Sequence, residues 1–226
     1  MTRRASRRTS KPNPSAVLAL EVLVEEESAS AALRPLLSKL VGGSNVRVGI
    51  RHFRGKPDLL KKLPERLRGY AAARARGEDI RVVVLVDKDA DDCVELKKRL
   101  DDCARQAGLV PRSDGCGGAY QVLNRIAVRE LEAWYFGDWE AVRAGFPKVG
   151  KRRVPSAYWG NPDIVTAKAS EAFERMLRSC GARIGSKPEW AKRVGRHLSA
   201  DGSNRSPSFQ AFVAGVREIL ANARAT

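Results

Sequence analysis

The sequence predicts an α/β protein in which helices flank a mostly parallel sheet, with a helical appendage at the C-terminal end. Two observations lead to this prediction. Short apolar runs alternate with amphipathic stretches over the first two thirds of the chain, which is the pattern of β-α-β units in a doubly wound sheet. Beyond Phe146 the alternation stops, and the remaining sequence is helical without a clear strand.

Four segments have the character of strands. Residues 17–24 form a nearly continuous apolar run, typical of a strand that is covered on both faces. Residues 46–50 alternate apolar and polar positions, as a half-buried strand does. Residues 81–86, which read RVVVLV, are the clearest buried strand, and residues 120–128 predict a further one.

Helices are predicted between and after these strands. Leucines spaced for one helical face mark the first helix, from about residue 28 to Gly42-Gly43, and the second, at residues 59–70. Pro35 falls within the first turns of the first helix, so we expect that helix to start late or to bend there. A third helix is expected up to Ala107, and a fourth over residues 130–143.

The chain divides into three regions. Residues 1–14 are basic and contain no acid, which predicts a disordered basic arm. Residues 15–147 form the α/β core. Residues 148–226 contain a basic loop and a helical appendage that we expect to pack on the core.

Composition limits the possible functions. Four separated cysteines and two histidines favour neither a zinc site nor a disulfide framework. No apolar run approaches the roughly 18 to 20 residues that cross a bilayer, and the basic N-terminus lacks a signal-peptide core, so a cytoplasmic protein is expected. A net charge of +16 predicts a polyanionic partner such as nucleic acid, although an Arg-rich genome or simple solubility also explains it.

Acidic residues follow two of the predicted strands. Glu25 comes directly after the first strand, and Asp87 and Asp89 come after the third. Ligands of open parallel sheets bind outside the carboxyl ends of the strands, and residues two apart in a strand share a face. Grouped carboxylates suit Mg²⁺, which polarises phosphoryl oxygens and activates water. The alternative for Asp89 is that it stabilises the N-terminus of the next helix.

Five blocks of the sequence resemble a known family. They read ALEVLVE, SASAALRPLLSKL, VVVLVDKDADDC, IAVRELEAWYFGDWEAV and RSPSFQAFV. They are similar to the Toprim-like proteins of the uncharacterised family numbered forty-two seventy-six, over about residues 17–215. The resemblance implies a Toprim fold, which serves primases, topoisomerases and the nucleases of phage-defence ATPase systems.

The resemblance also assigns residues. The Toprim acids carry over to Glu25, Asp87 and Asp89. The further acid of the related nucleases carries over to Glu130, with Glu132 as the second candidate. Two positions depart from the pattern: Glu26 replaces a glycine, and Ala29 replaces a glutamate that would support a second metal, so a one-metal or degenerate site is implied.

Two functions follow. The first is a nuclease that depends on Mg²⁺ or Mn²⁺ and cleaves DNA or RNA in a bacterial defence or DNA-maintenance system, with water as the nucleophile. Glu25 is then a metal ligand or general base, Asp87 and Asp89 are ligands, and Glu130 is the auxiliary acid. The alternative is a non-catalytic binding or regulatory subunit of an ATPase partner. Acids that share a cleft favour the enzyme, and splayed, salt-bridged acids favour the subunit.

A set of basic residues is predicted to contact nucleic acid. One lies between the two aspartates, and the others belong to the loop that opens the appendage. They are Lys88, Lys148, Lys151, Arg152 and Arg153. We expect this loop and the C-terminal helices to border the acidic site.

Overall fold

The computed structural model describes residues 17–115 and 119–224 of the chain. The predicted basic arm at residues 1–14 and Cys116 lie outside the described residues. Within these ranges no helix combines the length and the apolar character that a membrane crossing requires.

A four-stranded parallel sheet lies at the centre of the described chain. Its strands are β1 (Leu18–Val24), β2 (Val46–His52), β3 (Ile80–Asp87) and β4 (Val122–Ala127), in the order β2-β1-β3-β4. All three pairings are parallel. Every residue of β1 is buried, as its continuous apolar run predicts. The predicted α/β fold class, with a parallel sheet between helices, is confirmed.

Helices cover both faces of the sheet. Helix α1 (Glu27–Val41) packs on one face, and α2 (Lys56–Ala75) and α3 (Cys93–Gln106) pack on the other. Helix α1 begins at Glu27, well before Pro35, so the expected late start is wrong. Leucines three and four residues apart along α1 and α2 are fully buried, which is why these segments form amphipathic helices.

Five α-helices follow β4 in the described part of the chain. They are α4 (Ala133–Gly137), α5 (Trp139–Gly145), α6 (Ala169–Ser179), α7 (Lys187–Gly195) and α8 (Pro207–Arg224). Their buried side chains belong to the same hydrophobic cluster as α1 and the adjacent sheet face. Gly195 of α7 lies against α1 so closely that a Cβ there would be 2.3 Å from the carbonyl oxygen of Ala32. The C-terminal helices are therefore packed directly on the core.

The predicted helix over residues 130–143 is wrong. The chain forms two short helices instead, and Glu130 precedes both of them. The break lies at Asp138, whose backbone is not helical and whose Oδ1 accepts a hydrogen bond from the N–H of Ala141. Asp138 therefore caps α5 and prevents a continuous helix.

Candidate active site at the carboxyl edge of the sheet

Glu25 lies at the end of β1, in the middle of the carboxyl edge of the sheet. Its side chain is 8% exposed. Its Oε1 accepts a hydrogen bond of 2.8 Å from the backbone N–H of Asp87. Because β1 and β3 are paired neighbours, this bond holds the Glu25 carboxyl directly over the end of β3.

Asp87 connects β3 to the segment that follows β4. Its Oδ1 accepts a hydrogen bond of 2.9 Å from the N–H of Leu131. The next residue, Glu132, is 2% exposed and directly precedes α4. Glu25, Asp87 and Glu132 line one cavity of ≈ 10 Å³, which is about the room that a single water molecule needs. The structure therefore brings together acids from the ends of three adjacent strands.

Burial raises the pKa of all three acids. Desolvation raises the pKa of Glu25 to about 7, since the opposing Asp87 N–H and Lys56 do not compensate for it. Burial and the nearby carboxyls of Glu132 and Glu25 raise the pKa of Asp87 well above its usual range. Burial also raises the pKa of Glu132, although Lys187 opposes it. The cluster therefore retains its protons to a higher pH than ordinary carboxyls do.

Glu132 has one oxygen without a partner. Its Oε1 lies 3.3 Å from the Nζ of Lys187, whereas its Oε2 is buried and has no hydrogen bond to any described residue. The hydroxyl of Tyr135, also buried, lacks a partner among the described residues too, and the nearby carboxyls of Glu132 and Asp87 add to burial in raising its pKa. A buried carboxylate oxygen that lacks a donor is costly, so the cavity suits an added donor or cation.

Asp89 does not line the cavity, although its charge contributes to the raised pKa of Glu25 and of Asp87. Its φ of 50° is left-handed, so the chain leaves the strand conformation there and the alternation of side chains ends. Its exposed carboxylate accepts a hydrogen bond of 2.7 Å from the Nζ of Lys56, which also lies 2.8 Å from Asp91. Asp87 lines the cavity, whereas Asp89 forms an ion pair with Lys56 outside it, so the expectation that the two side chains share one rim stays a prediction.

Two lysines that the sequence does not single out flank the cluster. Lys56, the first residue of α2, contacts Asp89 and the carbonyl oxygen of Lys88. Lys187, the first residue of α7, contacts Glu26 at 2.9 Å and Glu132. Burial lowers the pKa of both ammonium groups, but the adjacent carboxylates outweigh it and raise the pKa overall. Both lysines are therefore held as cations beside the cavity.

The acid assigned from the resemblance lies elsewhere. The Oε2 of Glu130 accepts a hydrogen bond of 2.7 Å from the N–H of Ser170, at the start of α6, and Glu130 does not line the cavity. The second candidate, Glu132, does. One feature of the sequence favours Glu132 over Glu130 as the cavity acid. Glu132 directly precedes the apolar run AWYFG, which is buried, and Glu130 does not.

The basic loop is also separate from the acids. Lys148 and Lys151 are exposed, and the guanidinium of Arg152 contacts Ser179. Arg153 lines a different, open cavity together with Trp159. Lys88, half-buried, contributes its carbonyl oxygen to Lys56. The acidic cavity is instead bordered on the C-terminal side by Lys187.

A divalent cation fits the chemistry of this cavity. Within residues 17–115 and 119–224, no three acidic, histidine or cysteine side chains are arranged as a metal site. Mg²⁺, however, is commonly held by one or two carboxylates and keeps waters at its other positions. The unpartnered Oε2 of Glu132 and the neighbouring carboxyl of Asp87 offer such oxygens. Ala29 also lines the cavity and contributes no carboxylate to it.

The RSPSFQAFV block has a structural role. Ser206 and Ser208 belong to a buried network in which Asp163 accepts hydrogen bonds from the Ser206 hydroxyl and the Ser208 N–H, at the start of α8. The Ser208 hydroxyl accepts a hydrogen bond from the indole of Trp134. Asn204 donates to the carbonyl oxygen of Trp134. This block therefore anchors α4, and with it the position of Glu132.

Fold and site together define an α/β protein with a buried acidic cavity at the carboxyl edge of a parallel sheet. The chain belongs to the family described as Domain of unknown function (DUF4276), whose model matches residues 24–217. Among solved structures, it is similar to the C-terminal region of the OLD protein of Xanthomonas campestris pv. campestris. That similarity covers 91% of this chain and 97% of the other, with 14% identity and a TM-score of 0.43. No curated protein matches the chain.

Proposed function

We propose that this protein is a nuclease that hydrolyses phosphodiesters of DNA or RNA with one Mg²⁺ or Mn²⁺ ion. The observation that carries the proposal is the convergence of Glu25, Asp87 and Glu132 on one small buried cavity between Lys56 and Lys187. Clustered carboxyls with raised pKa values are typical of functional sites, because a fold gains no stability from burying them together.

Asp87 and Glu132 are the residues that would hold the metal, and Glu25 is the third acid at the same cavity. A bound ion supplies a Lewis acid for the phosphoryl oxygen and lowers the pKa of water. Asp89 is paired with Lys56 beside the cavity, and its predicted role as a metal ligand stays a proposal.

The reaction itself is a hydrolysis. The oxygen of a water molecule forms a bond to phosphorus, and the carboxylate of Glu25 accepts the proton that the water loses. The bond between phosphorus and the leaving ester oxygen breaks, and that oxygen takes up a proton from solvent. Lys56 and Lys187 compensate the charge that develops on the phosphoryl oxygens, since both ammonium groups are held beside the acids.

The test compares Glu132 with Glu130, because both acids follow β4 and only Glu132 lines the cavity. Purified wild type, Asp87→Asn, Glu132→Gln and Glu130→Gln are incubated with plasmid, linear DNA and RNA, each with Mg²⁺ or Mn²⁺. We expect cleavage by the wild type and a loss of about 10²-fold or more for the Asp87 and Glu132 variants. Glu130→Gln is the matched control, because its amide oxygen still accepts from Ser170 and it lies outside the cavity. The proposal fails if the wild type cleaves nothing with either metal, or if Glu130→Gln is as damaging as Glu132→Gln.

A second function is favoured by one specific observation. Asp89 and Asp91 share Lys56, and Glu26 and Glu132 share Lys187, so part of the acidic charge is neutralised within the chain. This arrangement suits a non-catalytic subunit that binds an ATPase partner in a defence system. Such a subunit would show no cleavage with or without the ATPase, and its melting temperature would not respond to Mg²⁺. A rise in melting temperature with Mg²⁺ that Asp87→Asn abolishes would favour the nuclease.

A further inference from the structure

A groove begins beside the acidic cavity and runs along α1. It lies between α1, α7 and the end of β2, and its volume is ≈ 700 Å³. Glu27 and Pro188 line it, and each is the sequence neighbour of a residue of the acidic cavity, Glu26 and Lys187. One end of the groove therefore lies beside the cavity at the carboxyl edge of the sheet, where ligands of parallel sheets bind.

The walls of the groove are closely packed helices. Helices α1 and α7 are in close contact, because Gly195 permits the backbone of α7 to approach the carbonyl oxygen of Ala32. The capping box of Ser186 and Glu189 fixes the start of α7. A groove between two such helices is preformed, so ligand binding carries no entropy cost for ordering it.

Three cationic side chains in this groove have no partner within the described chain. Arg34, Lys192 and Arg196 line it, and their side chains form no ion pair or hydrogen bond with any residue of 17–115 and 119–224. His52 lines it as well and is equally free within that part of the chain. Two acids line the groove: Glu189 is engaged in the α7 cap, and Glu27 is exposed, so the three cations outnumber the acids. The groove thus presents cationic groups whose partner is not part of the described chain.

We propose that this groove binds the sugar-phosphate backbone of a nucleic acid and leads it to the acidic cavity. The proposal rests on the proposed nuclease function and names the surface that holds its substrate. Three unpaired cations suit a polyanion, and the adjacent site requires a phosphodiester. Apart from His52, no aromatic side chain of the described residues lines the groove, so bases are not stacked there. Recognition through phosphates alone makes binding independent of sequence.

The experiment measures binding without cleavage. The full chain is titrated in EDTA with a fluorescein-labelled DNA duplex at several salt concentrations, and binding is followed by fluorescence anisotropy. Lys192→Gln with Arg196→Gln removes two groove cations. We expect affinity at 0.1 M salt to fall about 60-fold and the salt slope to decrease by about 1.8, as the loss of two phosphate contacts requires. Two duplexes of unrelated sequence should bind equally well.

The matched control is Arg68→Gln with Lys98→Gln. Both residues are exposed and lie on α2 and α3, on the opposite face of the sheet, so net charge changes equally. This control should bind like the wild type. A third pair, Lys148→Gln with Lys151→Gln, tests the loop that the sequence predicts. If the loop pair lowers affinity and the groove pair does not, or if all three pairs lower it equally, the groove proposal is overturned.

The outcomes also separate this proposal from the nuclease function. If the groove pair loses DNA binding but the wild type never cleaves, the groove stands and the nuclease fails. If the wild type cleaves and the groove pair binds and cleaves normally, the nuclease stands and the groove fails. Polyglutamate is titrated in the same way. If it binds as tightly as the duplex, the groove is a site for an acidic protein, and the proposal is overturned.

Discussion

Replacing Glu25 with glutamine should stabilise the metal-free protein above neutral pH. Glutamine has the same shape, and its amide oxygen retains the hydrogen bond from the Asp87 N–H, but it carries no charge. Burial raises the pKa of Glu25 from its ordinary value of 4.5 to about 7. Because the folded state holds the proton more tightly than the unfolded chain, the contribution of Glu25 is fully present below pH 4.5. It is lost as pH rises through 7.

The magnitude follows from this rise in pKa. Above pH 8 the ionised side chain costs the folded protein about 3 kcal/mol, and at pH 5 about 1 kcal/mol. Glu25→Gln should therefore gain about 2 kcal/mol more stability at pH 8 than at pH 5. Urea unfolding in EDTA, followed by tryptophan fluorescence, measures this difference. Glu65→Gln, on the exposed surface of α2, is the control and should show no such pH dependence. Equal stabilisation at both pH values, or none at pH 8, would refute the buried-carboxyl explanation.

Two further substitutions test the packing around the site by thermal unfolding. Gly195→Ala should destabilise the protein by about 1–3 kcal/mol, because its Cβ would meet the Ala32 carbonyl oxygen at 2.3 Å; an unchanged melting temperature would mean that α1 and α7 are less closely packed. Ser208→Ala should cost about 1–3 kcal/mol, because it leaves the buried indole N–H of Trp134 without its acceptor. If Ser208→Ala leaves the melting temperature unchanged but abolishes cleavage, the network positions α4 and Glu132 without stabilising the fold.

Strands β1 and β3 were predictable because burial on both faces produces a continuous apolar run. The runs in β1 and β3 are apolar at nearly every position, so their place in the centre of a parallel sheet could be inferred. The segment after β4 was not predictable in the same way. All residues of α4 are buried, so the segment has no polar face to mark a helical period, and the break at Asp138 depends on a side-chain cap.

The site was predictable where acids end strands. Glu25 and Asp87 occupy the positions expected from the pattern, because the pleat and the pairing of β1 and β3 determine where those side chains lie. Asp89 departs from the pattern because a left-handed backbone conformation follows the strand, and sequence alone carries no sign of it. Lys56 and Lys187 contact acids far away in the sequence, and nothing local distinguishes them among 42 lysines and arginines.

Lys187 makes the C-terminal region part of the site. It belongs to α7, yet its ammonium group joins Glu26, which follows β1, to Glu132, which follows β4. Without it, the buried carboxyl of Glu132 would lose its only cationic contact within the described chain. The same helix forms one wall of the cationic groove. A fragment ending at residue 147 would therefore keep all three acids but lose the cation that partly neutralises them, and burying an unpaired carboxylate is strongly destabilising. The C-terminal appendage therefore contributes Lys187 to the proposed active site, and the buried acids depend on it.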